Sequence, residues 1–179
     1  MSNVHIALAN PKFPHNVGAA IRAMSCFTTG GDLVFTGDRV KPETMSRIPR
    51  EERMKAYADV NWRKVTKPTE EFPDHTPVAI ELVPGSQSLH LFEHPKKALY
   101  IFGPEDGSID KGIRAACHAF VTIPSKHCLN LSCAVNVVLW DRLFKEWQNT
   151  GAPMPHLQEQ RGVDEALGWA VNDFDLVKV

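Results

Sequence analysis

Three short stretches of this chain carry residues able to do chemistry. In Asn16-Val17-Gly18-Ala19-Ala20-Ile21-Arg22 an Asn and an Arg lie six apart across a helix start. Arginine stays charged and grips phosphate with a planar fork. The plain reading of the same pair is a helix cap followed by a surface cation. In Gly103-Pro104-Glu105-Asp106-Gly107 two acids sit between glycines. Glycine permits positive φ and close backbone approach. Alone, this stretch also reads as an ordinary strand-to-helix turn. In Leu129-Asn130-Leu131-Ser132 an Asn and a Ser precede a long apolar helix, where both are common caps.

The region 97–140 must position the last two stretches. It holds two apolar runs, Ala98–Phe102 and residues 119–123, which read as buried strands. Each ends in a loop of small and polar residues, and a long apolar helix over 131–148 follows the second. Ligands of open α/β sheets lie outside the carboxyl ends of strands, so two such loops imply one pocket. The first stretch has a similar setting. Val4–Leu8 reads as a central strand, and Pro14 precedes a helix over 15–27 with Val17, Ala20, Ile21 and Met24 at helical spacing. Thr28-Thr29-Gly30-Gly31 stops that helix. Residues 33–36 form a second strand, which makes the opening of a parallel α/β sheet.

Together the stretches resemble the three motifs of the SpoU (TrmH-type) RNA methyltransferases of the SPOUT superfamily, in order, over about residues 3–148. The motifs are Asn-x-Gly-x-x-x-Arg at 16–22, "IFGPEDGSI" at 101–109 and "IPSKHCLNLSCAVNVVLW" at 123–140. Two departures stand out. The family spaces its second motif Gly-x-Glu-x-x-Gly, whereas here the second glycine arrives one position early, at Gly107, with Ser108 behind it. The family has Ser before the Leu-Asn pair; here it is Cys128, whose thiol is the poorer hydrogen-bond donor.

The resemblance implies a mostly parallel α/β sheet flanked by helices, with a deep trefoil knot at its C-terminal end formed by the loops after Val83, Phe102 and Ile123. It implies an S-adenosylmethionine-dependent RNA 2′-O-methyltransferase that works as a homodimer and needs no metal. Arg22 is implied to serve the hydroxyl side, and Asn16, Glu105 and Asn130 to order the site. Glu81, Leu82, Gly85, Gly103, Ile123, Cys128 and Leu131 are implied to hold the cofactor. Many rRNA-directed members carry an extra N-terminal RNA-binding domain. Here the first strand starts at about residue 4, so tRNA is the preferred substrate and rRNA the alternative. A noncatalytic RNA-binding module of the same fold is the rival from another class.

Composition sets outer bounds. The chain has 179 residues, 43% hydrophobic and 23% charged, with a formal net charge of −1. One globular domain over 1–150 with a tail over 151–179 packed on it is the expectation. The near-neutral charge argues against RNA affinity spread over the whole surface. No apolar run approaches a membrane span, and the N-terminus lacks the basic and apolar regions of a signal peptide, so the expected address is the cytoplasm. The four cysteines, Cys26, Cys117, Cys128 and Cys133, include no C-x-x-C pair and read as free thiols.

Between Arg39 and Lys55, six basic residues (Arg39, Lys41, Arg47, Arg50, Arg53, Lys55) face three acids, within an irregular region and a helix over 50–59. This segment reads either as a solvated face with ion pairs or as a flap that contacts phosphate. Residues 61–65 read as a strand, 66–76 as turns, 78–83 as a strand ending in Pro84-Gly85-Ser86, and 110–117 as a short helix. His90-Leu91-Phe92-Glu93-His94 fits the inverted zinc-protease pattern H-x-x-E-H. The short helix read over 89–94 is ended by Pro95 after about one and a half turns, however, and Leu89, Leu91 and Phe92 explain it as a packing element. The competing zinc hydrolase reading rests on these residues alone. There is no G-x-G-x-x-G and no Walker loop.

Overall fold

Burial explains the strands. Val4–Leu8 (β1) and Ala98–Phe102 (β6) are buried at every position, as strands covered on both faces must be. The computed structural model describes residues 4–47 and 60–151. By its contacts the chain divides into two compact units, Met1–Lys145 and Glu146–Val179. The expected helix over 50–59 and the tail lie outside the described residues.

The remaining elements are α1 (Pro14–Phe27), β2 (Asp32–Phe35), a 3-10 turn (Pro42–Arg47), β3 (Asn61–Lys64), α2 (Pro68–Glu71), β4 (Thr76–Ile80), β5 (Gln87–Ser88), a 3-10 turn (Leu89–Leu91), α3 (Lys111–Ala115), β7 (Ala119–Thr122) and α4 (Leu131–Thr150). The seven strands form one parallel sheet in the order β3-β2-β1-β6-β4-β7-β5.

Alternation along the strands builds two cores. Ile6, Leu8, Phe35, Val78, Tyr100, Phe102 and Val121 share one cluster with Val17, Ile21 and Met24 of α1 and Val135 and Val138 of α4. Ala7, Val34, Ala79, Leu99 and Ile101 form the other with Phe72 and Ile109. Helix α1 starts on Pro14 at its first turn, where a missing N–H costs nothing. It stops at Thr28, whose N–H and Oγ1 both donate to the Met24 carbonyl (2.9 and 2.8 Å), and the glycine pair follows. Gly31 has φ +110, and a Cβ there would lie 1.9 Å from the Val4 carbonyl oxygen, so only glycine fits.

Differences from the sequence reading are local. The strand expected over 78–83 ends at Ile80, because Ser86 Oγ folds the following loop on itself. It donates to the carbonyls of Glu81 (3.0 Å) and Val83 (2.8 Å) and accepts from the Val83 N–H (3.2 Å). β5, a two-residue edge strand on β7, gave no pattern to read. The helix expected over 89–94 is only the single turn Leu89–Leu91.

His94, which that reading placed on a metal-binding face, is instead bonded on both ring nitrogens. Its Nδ1 meets Tyr100 OH at 2.6 Å and its Nε2 meets Asp141 at 2.8 Å. His90 pairs with Ser88, and no cluster of three or more metal-ligating side chains occurs among the described residues. No helix there is long and apolar enough to cross a membrane.

One buried pair makes stability sensitive to pH. His5, 7% exposed, stacks on Phe72 at 3.8 Å with His75 edge-on at 4.4 Å. Its Nδ1 accepts the Asp32 N–H at 2.9 Å, which requires a neutral ring. Burial, then the neighbouring His75, lowers its pKa from 6.5 to about 4. Burial lowers His75 as well. Between pH 6.5 and 4 the unfolded chain therefore binds more protons than the folded one, so stability must fall as pH falls through that window. For His5 alone the loss approaches about 3 kcal/mol at the acid end. Urea midpoints at pH 7 and pH 5 test this. The midpoint should drop at pH 5 in the wild type and drop less in His5→Asn, and equal midpoints in the wild type would refute the account.

Candidate functional site

Strand order decides which loops meet. β1 and β6 are neighbours, with Leu8 beside Phe102. β6 neighbours β4, with Phe102 beside Ile80, and β4 neighbours β7, with Ile80 beside Val121. The loops leaving the carboxyl ends of β1, β6, β4 and β7 therefore lie side by side, although 114 residues separate Asn16 from Asn130. This is where a parallel sheet places ligands.

At the β1–β6 end a continuous chain of hydrogen bonds joins the three polar stretches. Asn16, 1% exposed on the inner side of α1, donates from Nδ2 to Glu105 Oε1. The Lys12 N–H donates to Glu105 Oε2 at 2.8 Å. Asn130 Nδ2 donates to Asn16 Oδ1 at 3.1 Å. Asn130 Oδ1 in turn accepts from the Ser132 N–H (2.9 Å) and Oγ (2.7 Å) at the start of α4. Each amide is thus fixed in orientation by a partner on either side. Burial alone would raise the Glu105 pKa. Hydrogen bonds from Asn16 and from the backbone of Lys12, Glu105 and Phe13 outweigh it and hold the carboxyl below its ordinary range. Glu105 is therefore a carboxylate at neutral pH, an acceptor that orders donors. Arg22 lies exposed on α1, away from the inner side that carries Asn16.

Next to this chain, at the β4–β7 end, lies a cleft of about 430 Å³ lined by Glu81, Leu82, Ile123, Cys128 and Leu129, with Ser125, Lys126 and His127. The size suits a small-molecule site. Leu82 is 75% exposed, an apolar side chain at the rim. The Glu81 carboxylate is held by the neighbouring loop. Its Oε2 accepts the Ile109 N–H at 2.9 Å and so ties the loop after β4 to the loop after β6. Gly103 fits beneath it: a Cβ there would lie 3.3 Å from Glu81 Oε2 and 3.4 Å from Ile109. The displaced Gly107 is less constrained, since a Cβ there would meet only Pro104 at an ordinary 3.6 Å. That is why the altered motif spacing leaves the loop intact. Leu131 is buried under the first turn of α4. Gly85, with φ +86, lines a different hollow on the α3 side of the sheet, with Val83, Pro84, Lys111, Arg114 and Phe120.

The structure thus brings Asn16, Glu105 and Asn130 together, gathers Glu81, Leu82, Ile123 and Cys128 at one cleft, and leaves Gly85 and Arg22 outside both groups. Sequence reasoning missed Lys12, whose backbone completes the Glu105 site. It also missed the grip of Arg39 and Lys12 on Asp106. The acid pair 105–106 marked that loop but not the partners of its acids.

Comparison with known proteins gives a consistent picture. The profile of the SpoU rRNA Methylase family matches residues 3–140. No curated protein matches the sequence. Among solved structures, the chain is similar to the SpoU methyltransferase AviRb from Streptomyces viridochromogenes in complex with AdoMet. That match has a TM-score of 0.69 and 17% identity, and it covers 82% of this chain and 62% of that one. It is similar to the TrmH/SpoU tRNA modifying enzyme of A. aeolicus, with a TM-score of 0.69 and 19% identity over 89% and 84% of the two chains. A structure concerned with the 2-OH methylation of C/U34 on tRNA matches with a TM-score of 0.67 and 21% identity over 84% and 99%. The chain spans less than two thirds of AviRb.

Proposed function

The chain belongs to the SpoU rRNA methylase family, and from that membership we propose that it is an S-adenosylmethionine-dependent RNA 2′-O-methyltransferase with tRNA as its preferred substrate. The observation that carries the reading is the bonded chain Glu105–Asn16–Asn130–Ser132 standing beside a cleft at the carboxyl ends of β4 and β7. The family uses S-adenosylmethionine, and the cleft suits it. Its walls mix the apolar Leu82, Ile123 and Leu129 with the polar side chains of Ser125, Lys126 and His127. When bound there, the cofactor supplies a methyl group already activated for transfer.

The tasks left to the chain are alignment and help for the hydroxyl. Alignment alone is worth up to about 7–11 kcal/mol in ideal cases. Glu81, Leu82, Ile123 and Cys128 hold the cofactor in this reading, and Gly103 and Leu131 set the shape of its loops. Arg22 holds a phosphate next to the target ribose or stabilises the oxyanion that forms there. It does not act as a literal base, since a guanidinium keeps its proton and its charge. The proton of the hydroxyl leaves to that phosphate or to solvent as the oxygen–methyl bond forms.

Several findings support the finer parts of the reading. The tRNA preference leans on the structure concerned with C/U34 of tRNA, which the match covers over 99% of its length. A homodimer accounts for the apolar side of α4 and α1, where Trp140 (47% exposed) stacks on Phe144 and meets Phe27 edge-on. The trefoil knot and a cytoplasmic address belong to the same proposal, the latter in keeping with four free thiols.

The test is transfer of labelled methyl from S-adenosylmethionine to total RNA from cells lacking this protein, followed by sizing and nucleoside digestion. Label recovered as 2′-O-methyl nucleosides in tRNA-sized RNA is the expected result. Label on bases, in rRNA only or nowhere would overturn the reading at the corresponding level. The cofactor site has its own readout. Alkylation of the exposed Cys128 should slow when S-adenosylmethionine is added, while the exposed Cys26 labels unchanged. Cys117 should stay unreactive, because burial raises its pKa to about 11. Equal rates at Cys128 with and without cofactor would place the cofactor elsewhere.

A further inference from the structure

The geometry points to a seat for an RNA backbone phosphate on Arg39 and Lys12, filled in the free protein by the carboxylate of Asp106. Arg39 donates from Nη1 and Nη2 to the two oxygens of Asp106 at 2.8 and 2.7 Å, and Lys12 Nζ lies 3.1 Å from Oδ2. A two-pronged guanidinium with an ammonium alongside is the arrangement that holds a phosphate. All three side chains reach solvent, with 44% of Lys12, 31% of Arg39 and 43% of Asp106 exposed, so a ligand can approach. An exposed pair of this kind contributes little to stability, so holding the loops together is a weak reason for it.

The seat is rigid where it needs to be. Asn10 has φ 48 and packs so close to Gly37 that a Cβ at Gly37 would lie 2.1 Å from Asn10 Oδ1. The Asn10 N–H donates to Thr36 Oγ1 at 3.1 Å, and the Asn10 carbonyl accepts from Arg39 at 3.4 Å. The loops after β1 and β2 are thereby locked together with both cations on one side. The Lys12 backbone is bonded to Glu105, so the seat shares a loop with the ordered carboxylate of the candidate site. A second observation favours a nucleic acid over a simple anion. Phe13, the next residue, is 41% exposed, stacks on His15 at 5.2 Å and has its ring centroid 5.4 Å from Lys12 Nζ. A cation beside an exposed ring is the pattern that receives a phosphate and its base.

Asp106 then acts as a stand-in anion. It keeps the two cations placed and partly neutralised until a phosphate takes them. This fits a chain whose formal net charge is −1: affinity is concentrated in a few cations, and an internal carboxylate competes for them. The inference rests on the RNA reading above and assigns the place where the backbone next to the target is held.

The test measures binding of unfractionated tRNA to the full chain over a salt series. Arg39→Gln and Lys12→Gln should each weaken binding by about five- to tenfold and reduce the salt slope by about 1. Asp106→Asn should tighten binding by about threefold or more, because it removes the competitor. Asp38→Asn removes a carboxylate paired to Lys64 on the adjoining loop and should change little, which separates the seat from a general charge effect. Cofactor affinity, measured alongside, should be the same in all variants. Weakened or unchanged binding in Asp106→Asn, or equal tightening in Asp38→Asn, would overturn the seat while leaving the RNA reading intact. A wild type that binds no tRNA at any salt would overturn both.

Discussion

Glu105→Gln is expected to lower methyl transfer by about a hundredfold, equivalent to about 2.7 kcal/mol of barrier, with cofactor affinity little changed. Glu105 receives hydrogen bonds on both oxygens, from Asn16 Nδ2 on one and from the Lys12 N–H on the other. A glutamine of the same shape can satisfy only one. Its amide nitrogen must face a donor on the other side, so either Asn16 or the Lys12 loop is pushed away. If Asn16 moves, Asn130 loses its acceptor and the start of α4 loses its orientation. A displacement of about 1 Å costs about this much in rate when geometry is the main source of catalysis.

The measurement is single-turnover transfer at saturating cofactor and RNA, with cofactor binding determined separately. Arg22→Ala serves as the comparison. It should lose transfer to a similar degree, because on the proposed reading it removes the group that serves the hydroxyl, while its side chain makes none of the bonds of the Glu105–Asn16–Asn130–Ser132 chain. Because hydrogen bonds hold Glu105 below the ordinary carboxyl range, the wild-type rate should not fall through protonation of Glu105 under mildly acid conditions. A Glu105→Gln enzyme within a few fold of the wild type would mean that the bonded chain does not order the reacting groups.

What the sequence shows of this site follows from what each signal depends on. Ala98–Phe102 and Val4–Leu8 are legible because a strand buried on both faces must be a continuous apolar run. The turn between α1 and β2 is legible because the fit of Gly31 against Val4 leaves only one residue type possible. The meeting of Asn16, Glu105 and Asn130 is a different matter. Nothing in their local patterns says that β6 inserts between β1 and β4, and without that order the three residues are two caps and a turn. Only the joint order of three motifs carried the information.

The converse failure is His90-Leu91-Phe92-Glu93-His94, whose spacing imitates a zinc site. The helix it requires is one turn of 3-10, and His94 is there for Tyr100 and Asp141. A spacing rule holds only if the element is long enough to express it. The Arg39–Asp106 pair was out of reach for a third reason. It joins loops 67 residues apart, and a surface ion pair leaves no periodic trace in either.

Arg142→Ala is expected to cost about 3–5 kcal/mol of stability, because a buried donor group is removed and three acceptors are left short of a donor. Arg142 is 7% exposed. It donates to the carbonyls of Pro95 (2.7 Å) and Lys96 (2.9 Å) and to the hydroxyl of Tyr100 (3.0 Å). Tyr100 is fully buried, and burial raises its pKa to about 12, so the hydroxyl stays neutral. It accepts from Arg142, donates to His94 Nδ1, and His94 passes its other N–H to Asp141. Removing the guanidinium leaves two carbonyls and the buried phenol oxygen short of a donor, each a loss of up to about 1–3 kcal/mol.

Against the usual 5–15 kcal/mol for a domain, this is a large share. With a urea slope of about 2 kcal/mol per M, the midpoint should move down by about 2 M. Lys145→Ala provides the contrast. That ammonium also meets carbonyls, of Leu89 and Phe92, together with Asp141, but it is 23% exposed, so water replaces part of what is lost and the shift should be smaller. An Arg142→Ala midpoint no lower than that of Lys145→Ala would show that this network is not what fastens α4 to the 89–97 segment. The first turn of α4 carries Asn130's partner Ser132. If the network does fasten the helix, Arg142→Ala should also slow methyl transfer under conditions where the variant remains folded, because the loosened helix no longer presents Ser132 to Asn130.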